Sequence, residues 1–305
     1  MYKTIFSNLN EKLKNSRIHH DIMMKDYTTM HIGGVPAAMI TIDDERDIPT
    51  VYNFTEKNGY IPVFTGRGSN IIFGDNIEKY VVMNFGLNFT SFIKKEDSLF
   101  CRAGSSLQRI VRGAAELGIT GFEWAIGIPG TVGGAVVNNS GSKKFSICEN
   151  IIDVKCIDFN GKTVVFTKEK LHPEYRSTII KNDKNTIVVD LRFSLKYRDR
   201  IEILNDLNSY FAEKQNNQPL NEFSAGCIFK NPEGYSAGKL IDECGLKGFK
   251  SGGVMISEKH ANFIVNFNNA SFEDFRRLTN IIIEKVLEKF KIELSLEVEI
   301  IGGKL

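Results

Sequence analysis

The sequence predicts an α+β protein of two domains, and three observations predict it. Strand-like runs are short and clustered, without the regular strand–helix alternation of a parallel α/β sheet. The composition shifts near residue 197, from glycine-punctuated strands to a long amphipathic helix. The length, 305 residues, is about two domains' worth at roughly 150 residues each. The expected organisation is 1–197 as a first domain, itself split near residue 85, and 198–305 as a second.

Residues 3–15 read as a helix, because Ile5, Leu9 and Leu13 recur at one-turn spacing. A strand is predicted over 37–42, a helix over 44–58 stopped by Gly59, and strands over 61–65 and 71–73 flanking Gly66-Arg67-Gly68-Ser69-Asn70. Further strands are expected at 80–83 and 99–102, then a helix over 107–117 that ends at Gly118. Asn160-Gly161 is a hairpin signal joining strands at 151–158 and 163–166, and another strand is expected over 186–196. Ile203, Leu204, Leu207 and Phe211 define one face of a helix over 199–213, and Asn216-Asn217-Gln218-Pro219 breaks it. The last third reads as strands near 226–230, 254–256 and 262–267, a helix over 272–290, and a strand over 294–301.

Composition excludes several classes. Lys+Arg number 39 against 37 Asp+Glu, a net charge of +2 that gives no global attraction to nucleic acid. No apolar run reaches the roughly 18 residues of a membrane span. The first twenty residues have no continuous apolar stretch, so no signal peptide is expected. Five scattered cysteines without a CxxC make a poor disulfide framework or zinc site, and no HxxxH or carboxylate cluster supports another metal. A cytoplasmic monomer acting on a small molecule is the expectation.

Glycine is the chemical signal. Gly66, Gly68, Ser69 and Asn70 could cradle an anion, since glycines let backbone N–H groups approach closely; an ordinary tight turn would use the same residues. Five of the fifteen residues from Gly121 to Ala135 are glycine, flanked by apolar residues rather than linker residues. That density implies a ligand or another backbone lying close. The cluster is neither a Walker A loop nor a dinucleotide fingerprint, because no Lys-Ser/Thr comes after it and no strand–turn–helix unit surrounds it.

The runs YTTMHIGG, FTGRGSNIIF, GFEWAIGIPGTVGGAV, SAGCIFKNP, AGKLIDECGLKG, GGVMISEKHANFIVN and LSLEVEIIG, in this order over residues 20–302, resemble the UDP-N-acetylenolpyruvoylglucosamine reductase family. The resemblance implies an FAD-binding domain of the vanillyl-alcohol oxidase/p-cresol methylhydroxylase type and a C-terminal α+β domain that holds the nucleotide sugar. It implies FAD as cofactor and NADPH as reductant, with hydride passing to the enolpyruvyl group and a proton to the neighbouring carbon. Cofactor contacts then fall on Gly66, Arg67, Gly68, Ser69, Asn70, Ile128, Pro129, Gly130, Thr131, Gly133 and Gly134. Arg176, beside Tyr175, matches the arginine that polarises the substrate carboxylate, a role suited to its permanently charged bidentate fork. Cys227 stands where the family most often has serine, the proton donor; a thiol, ordinarily titrating near 8.5, can donate in the same geometry. Glu297 matches the catalytic glutamate that orients the intermediate. Lys230 and Asn231 match the substrate-diphosphate region, and His260 and Asn262 are expected to line the substrate side.

Each position has a plainer reading: Arg176 as a surface cation, Cys227 as a small buried hydrophobe, Glu297 as one of an outward row with Glu293 and Glu299 on an edge strand, Lys230 as solvated, and His260 as structural. Four departures from the family pattern stand out: Cys227 itself, Glu299 where arginine is common, Val136-Val137-Asn138-Asn139 where a flavin-side contact is expected, and no room for the tyrosine-bearing insertion of longer members. Another flavin oxidase of the same superfold is the main rival. It would share the glycine loops but has no need of the SAGCIFKNP, HANFIVN and LEVE runs together.

Overall fold

The computed structural model describes residues 2–142, 144–183 and 185–305. The chain forms two compact units, Met1–His20 with Ala37–Gly66 and Lys79–Ala212, and Asp21–Pro36 with Arg67–Glu78 and Glu213–Leu305. The sequence predicts a domain boundary near 197, with the first domain split near 85. The contacts instead interleave the segments, because residues 21–36 and 67–78 fold with the C-terminal third. The mixture of helices and short sheets is the α+β class.

Among the described residues the first unit holds a two-stranded sheet, Gly141–Ser142 with Phe145–Ser146, and two larger ones. In one, Ala38–Ile42, Tyr80–Phe85 and Ile61–Phe64 run parallel, with Arg17–His19 added antiparallel at the edge. In the other, Thr163–Thr167, Ile151–Asp158, Thr186–Ser194, Ser98–Arg102 and Phe92–Lys94 lie side by side, all antiparallel. Alternation turns Ile40, Ile42, Val81 and Met83 of the first sheet into an apolar cluster with Phe6, Ile48 and Val51. The second sheet packs Leu99, Cys101, Val154, Leu191 and Phe193 against the helix Leu107–Glu116. That helix buries Leu107, Ile110, Val111, Ala114 and Ala115, one face at i, i+3, i+4, i+7 and i+8.

The first helix stops at Asn10, five residues short of the reading from periodicity. The buried Asp47 carboxylate explains this, since it accepts from the backbone N–H groups of Lys14 at 2.8 Å and Ser16 at 3.1 Å and so draws that segment into a loop. The short helix Val132–Val137 is hidden, in the sequence, inside the glycine cluster.

In the second unit, Phe223–Cys227, Phe263–Asn266, Val254–Ile256 and Lys250–Ser251 form an antiparallel sheet, and Glu299–Ile301 pairs in parallel with Ile71–Phe73. The helix Phe272–Phe290 opens with a reciprocal capping box, Ser271 and Asp274 each bonding the other's backbone N–H at 3.1 Å. It buries Phe275, Leu278, Ile282 and Val286 against Ala225, Ile228, Ile264 and Leu240. The strand expected over 294–301 is confined to 299–301. Ser295 and Glu297 instead exchange backbone bonds with Lys230 and Ile228, at 2.9 and 2.8 Å, around a single bridge from Phe229 to Leu296. Among the described residues no helix is long and apolar enough to cross a membrane.

Phe275 is fully buried at the centre of the second unit's core. Phe275→Ala should therefore cost about 3–5 kcal/mol of stability and lower the urea midpoint; an unmoved midpoint would mean that this helix does not carry the core.

Candidate active site

In the first unit the two glycine loops meet. Gly66 comes two residues after the strand Ile61–Phe64, and a Cβ on it would lie 2.6 Å from the Thr131 hydroxyl oxygen. Thr131 caps the helix Val132–Val137, its Oγ1 accepting from the Gly134 N–H at 3.2 Å. A Cβ on Gly133 would meet Ala103 at 2.9 Å, so only glycine lets that turn of helix sit against the neighbouring strand end. Gly130 has φ +126°, and its carbonyl accepts from Leu107. The approach into this loop is clamped by Gln108: its amide donates to the carbonyls of Ala125 at 3.2 Å and Ile128 at 2.6 Å and accepts from the Gly127 N–H at 2.9 Å. Sequence reading missed Gln108, because one amide on an amphipathic helix gives no local sign of its target. The buried Glu123 takes the Thr120 hydroxyl and the Gly121 N–H, fixing the other end of the cluster. The result is a glycine-rich loop pinned by Gln108, Glu123 and Thr131.

Arg176, also in the first unit, has φ +57°, a left-handed conformation costly for a residue with a Cβ. The turn Glu174–Ser177 that holds it is closed by two backbone bonds. Asn139 donates its amide to the Glu174 carbonyl at 2.8 Å, Thr178 donates its hydroxyl to the Val137 carbonyl at 2.9 Å, and Lys181 donates to the Arg176 carbonyl at 3.1 Å. The guanidinium lies 5.1 Å from the Tyr175 ring centroid, a cation–π distance. Val137 and Asn139, which depart from the family pattern, thus support the arginine turn in this chain.

In the second unit, Gly68 has φ +60° and packs on Tyr27 and Thr28, where a Cβ would collide with the Tyr27 carbonyl oxygen. Arg67 is exposed and Ser69 half-buried. Asn70 ends the loop: its amide donates to the Glu297 carbonyl at 3.2 Å, and its own carbonyl accepts from Glu299 at 2.9 Å. Cys227 closes the strand Phe223–Cys227 behind an irregularity between Ser224 and Cys227 in which Gly226 takes φ +77°. Such a bulge re-aims the side chain after it. The Glu297 N–H bonds the carbonyl of Ile228, so the Glu297 backbone is anchored beside Cys227.

Asn262 is buried, accepting from the Phe229 N–H at 2.9 Å and donating to the Phe229 carbonyl at 2.8 Å. Its amide is engaged by this backbone and holds the Cys227–Lys230 segment in place. Asn231 is exposed, and its side-chain oxygen accepts from the N–H of Ala237, the first residue of the next helix, at 3.0 Å; Lys230 is half-buried, and its N–H bonds Ser295. His260 packs edge-on against Phe263, and its Nδ1 accepts from the Asn262 N–H at 3.2 Å, which places the ring proton on Nε2. Burial first, and then Lys247, pushes its pKa below the ordinary 6.5. Lys214, which nothing in the sequence singled out, is buried at the end of the helix Arg200–Asn217; burial brings its ammonium down to about 8 against a raising effect of Glu213.

Three other thiols are inert by burial. That of Cys101 is pushed well above the thiol range, and those of Cys148 and Cys156 are raised to about 12, chiefly by desolvation. Among the described residues no group of three or more His, Cys, Asp or Glu is placed to hold a metal ion.

The depressed His260 pKa carries a stability prediction. A histidine kept neutral in the fold stabilises it fully above the unfolded value near 6.5, and that contribution is lost as pH falls towards the lower folded value. The melting temperature should fall between about pH 7 and 5, and His260→Gln should flatten part of that fall. An identical slope in the variant would show that His260 does not control it.

The family described as UDP-N-acetylenolpyruvoylglucosamine reductase, C-terminal domain, matches residues 218–301, and the one described as FAD binding domain matches residues 36–167. The chain is similar to proteins named UDP-N-acetylenolpyruvoylglucosamine reductase. That of Clostridium novyi is 34% identical over 299 residues, 96% of each chain. That of Staphylococcus aureus is 32% identical over 300 residues, 98% of this chain and 97% of the relative. The crystal structure of the Thermus caldophilus reductase superposes with a TM-score of 0.80 at 32% identity, covering 94% of this chain and 99% of that one.

Proposed function

The chain belongs to the UDP-N-acetylenolpyruvoylglucosamine reductase family, and from that premise we propose that it reduces UDP-N-acetylglucosamine enolpyruvate to UDP-N-acetylmuramate, a precursor of peptidoglycan, with FAD as cofactor and NADPH as reductant. The observation that carries the cofactor half is the match of residues 36–167 to the family described as FAD binding domain, a stretch that contains both glycine loops. A dinucleotide needs backbone N–H groups at van der Waals distance, and glycine provides that approach. Bound there, FAD supplies hydride transfer between NADPH and the enolpyruvyl group; Gly66–Asn70 and Ile128–Gly134 are the residues that would hold it.

The chain's own residues supply charge and proton. Arg176 stabilises the carboxylate as negative charge grows on it, because its fork donates to both oxygens and its charge is permanent. Its strained backbone, held by Asn139, Thr178 and Lys181, is an outlier of the kind that clusters at active sites. Cys227 delivers one proton to the carbon next to the carboxylate, and the Gly226 irregularity aims it. Glu297, held at the Ile228 carbonyl, orients the intermediate. Lys230 supplies charge to the diphosphate, Tyr175 and Asn231 contact the substrate, and His260 and Asn262 position that wall. Five cysteines with no disulfide among them support a reducing, cytoplasmic setting.

The decisive experiment is the visible spectrum under anaerobic conditions. A flavin band that bleaches with NADPH and returns only when the enolpyruvyl nucleotide sugar is added is the expected result. A band that bleaches and ignores that substrate would move the reaction to another flavin oxidase of the same fold, and no flavin band after reconstitution would overturn the cofactor assignment.

Cys227→Ala should leave flavin reduction by NADPH nearly intact and slow its reoxidation by substrate by roughly 10²–10⁴-fold, the range of a lost general acid. Equal losses in both half-reactions would remove Cys227 from the proton step. Arg176→Lys should lose most of the reoxidation rate, since a point charge has no fork; full activity would mark the arginine as structural.

A further inference from the structure

Two buried side-chain oxygens among the described residues have no hydrogen-bond partner, Thr65 Oγ1 and Asn84 Oδ1. They are neighbours. The parallel ladder pairs Ile61 with Tyr80 and continues in step to Phe64 with Met83, and the next bond, from the Thr65 N–H to the Met83 carbonyl at 2.8 Å, sets Thr65 opposite Asn84. Side chains alternate along a strand. Phe64 and Met83 pack into the apolar cluster, so Thr65 and Asn84 share the opposite face. They stand at the carboxyl ends of the parallel strands, Thr65 one residue before Gly66, where ligands of parallel sheets bind.

The third member of this row differs. Thr41 pairs with Asn84 on the other side, and its hydroxyl is within hydrogen-bond distance, 3.2 Å, of His19 Nε2. The protein therefore satisfies a hydroxyl on this row where it can. An unsatisfied buried group is a standing cost, and valine or leucine would fill the same volumes without it. Thr65 is only 3% exposed, so bulk water does not relieve it. A hydroxyl that can donate and an amide whose two ends interchange by a flip match a partner rich in both donors and acceptors.

We propose that Thr65 and Asn84 hydrogen-bond the diphosphate–ribose chain of FAD and so extend the glycine cradle into the sheet. The inference rests on the FAD reading and adds two side chains to the residues of the glycine loops.

Thr65→Val and Asn84→Leu keep shape and remove the polar atoms. The full-length chain, stripped of flavin, is melted and then titrated with FAD by flavin fluorescence. Each variant should melt at or above the wild-type temperature without FAD, because an unsatisfied group is gone, yet bind FAD about 5- to 30-fold more weakly, as for the loss of one or two hydrogen bonds. Thr41→Val, which breaks a satisfied pair, should show the reverse: a lower melting temperature and unchanged FAD affinity. Unchanged FAD affinity in Thr65→Val and Asn84→Leu overturns the inference, as does a loss of affinity matched by a loss of flavin-free stability, the mark of a structural role. Wild-type protein that fails to take up FAD overturns the cofactor reading itself and is distinguishable from either result.

Discussion

The parallel pairing of Glu299–Ile301 with Ile71–Phe73 is the constraint on which the second unit's candidate site depends. Asn70 sits at its edge and binds the backbone of both Glu297 and Glu299, across 227 residues of sequence in the first case. The same stretch of tail, from Ser295 to Glu297, bonds the backbone of Ile228 to Lys230. One extended segment therefore ties the end of a glycine loop to the strand that presents Cys227. Closing so long a loop is entropically costly, and the logarithmic growth of that cost makes a distant tail little worse than a nearer one. What the arrangement gains is register: each contact is backbone to backbone or amide to backbone, so the Glu297 main chain cannot slide without breaking several bonds at once.

The first unit solves its problem differently. Its glycine loops meet by omission, since Gly66 and Gly133 let Thr131 and Ala103 pack where a Cβ would otherwise sit. Omission costs conformational entropy, and Gln108, Glu123 and Thr131 offset it by tying down the loop from helix and turn. Arg176 is the opposite case, a residue with a full side chain forced into left-handed backbone. Three neighbours hold it there, so its position is determined by Asn139, Thr178 and Lys181 as much as by its own turn.

Most of the regular elements were legible because amphipathic period and glycine stops are local properties: the helices 107–116 and 272–290 and the hairpin at Asn160-Gly161 derive from them. What failed was non-local. The first helix ends early because a buried carboxylate from residue 47 captures its exit. The expected strand over 294–301 is mostly a bridge to another segment, so Glu293, Glu297 and Glu299 do not form one outward row. Asn262 reads as a polar residue before an apolar strand, and only the fold reveals that Phe229 takes both ends of its amide. Thr65 and Asn84 were invisible for a related reason, since a threonine and an asparagine at strand ends are ordinary until the absence of partners is seen. The chemistry-bearing residues were named through family motifs, not through periodicity, which carries no information about what a side chain faces.

The placement of Cys227 shows why such motifs come as runs rather than single residues. A proton donor acts only if its side chain is held to within about half an ångström and roughly 10–20° of the productive direction. Cys227 cannot hold itself: it ends a strand, and the residue before it is in left-handed backbone. The next three residues fix its direction. Ile228 bonds the Asn262 carbonyl, Phe229 is held at both backbone atoms by the Asn262 amide, and Lys230 is bonded to Ser295. A change at Asn262 would therefore act on the donor without touching it, through the residues between them. The Ser-Ala-Gly-Cys-Ile-Phe-Lys-Asn-Pro and His-Ala-Asn-Phe runs are two halves of one backbone clamp, and neither half positions a thiol, or a hydroxyl in its place, without the other.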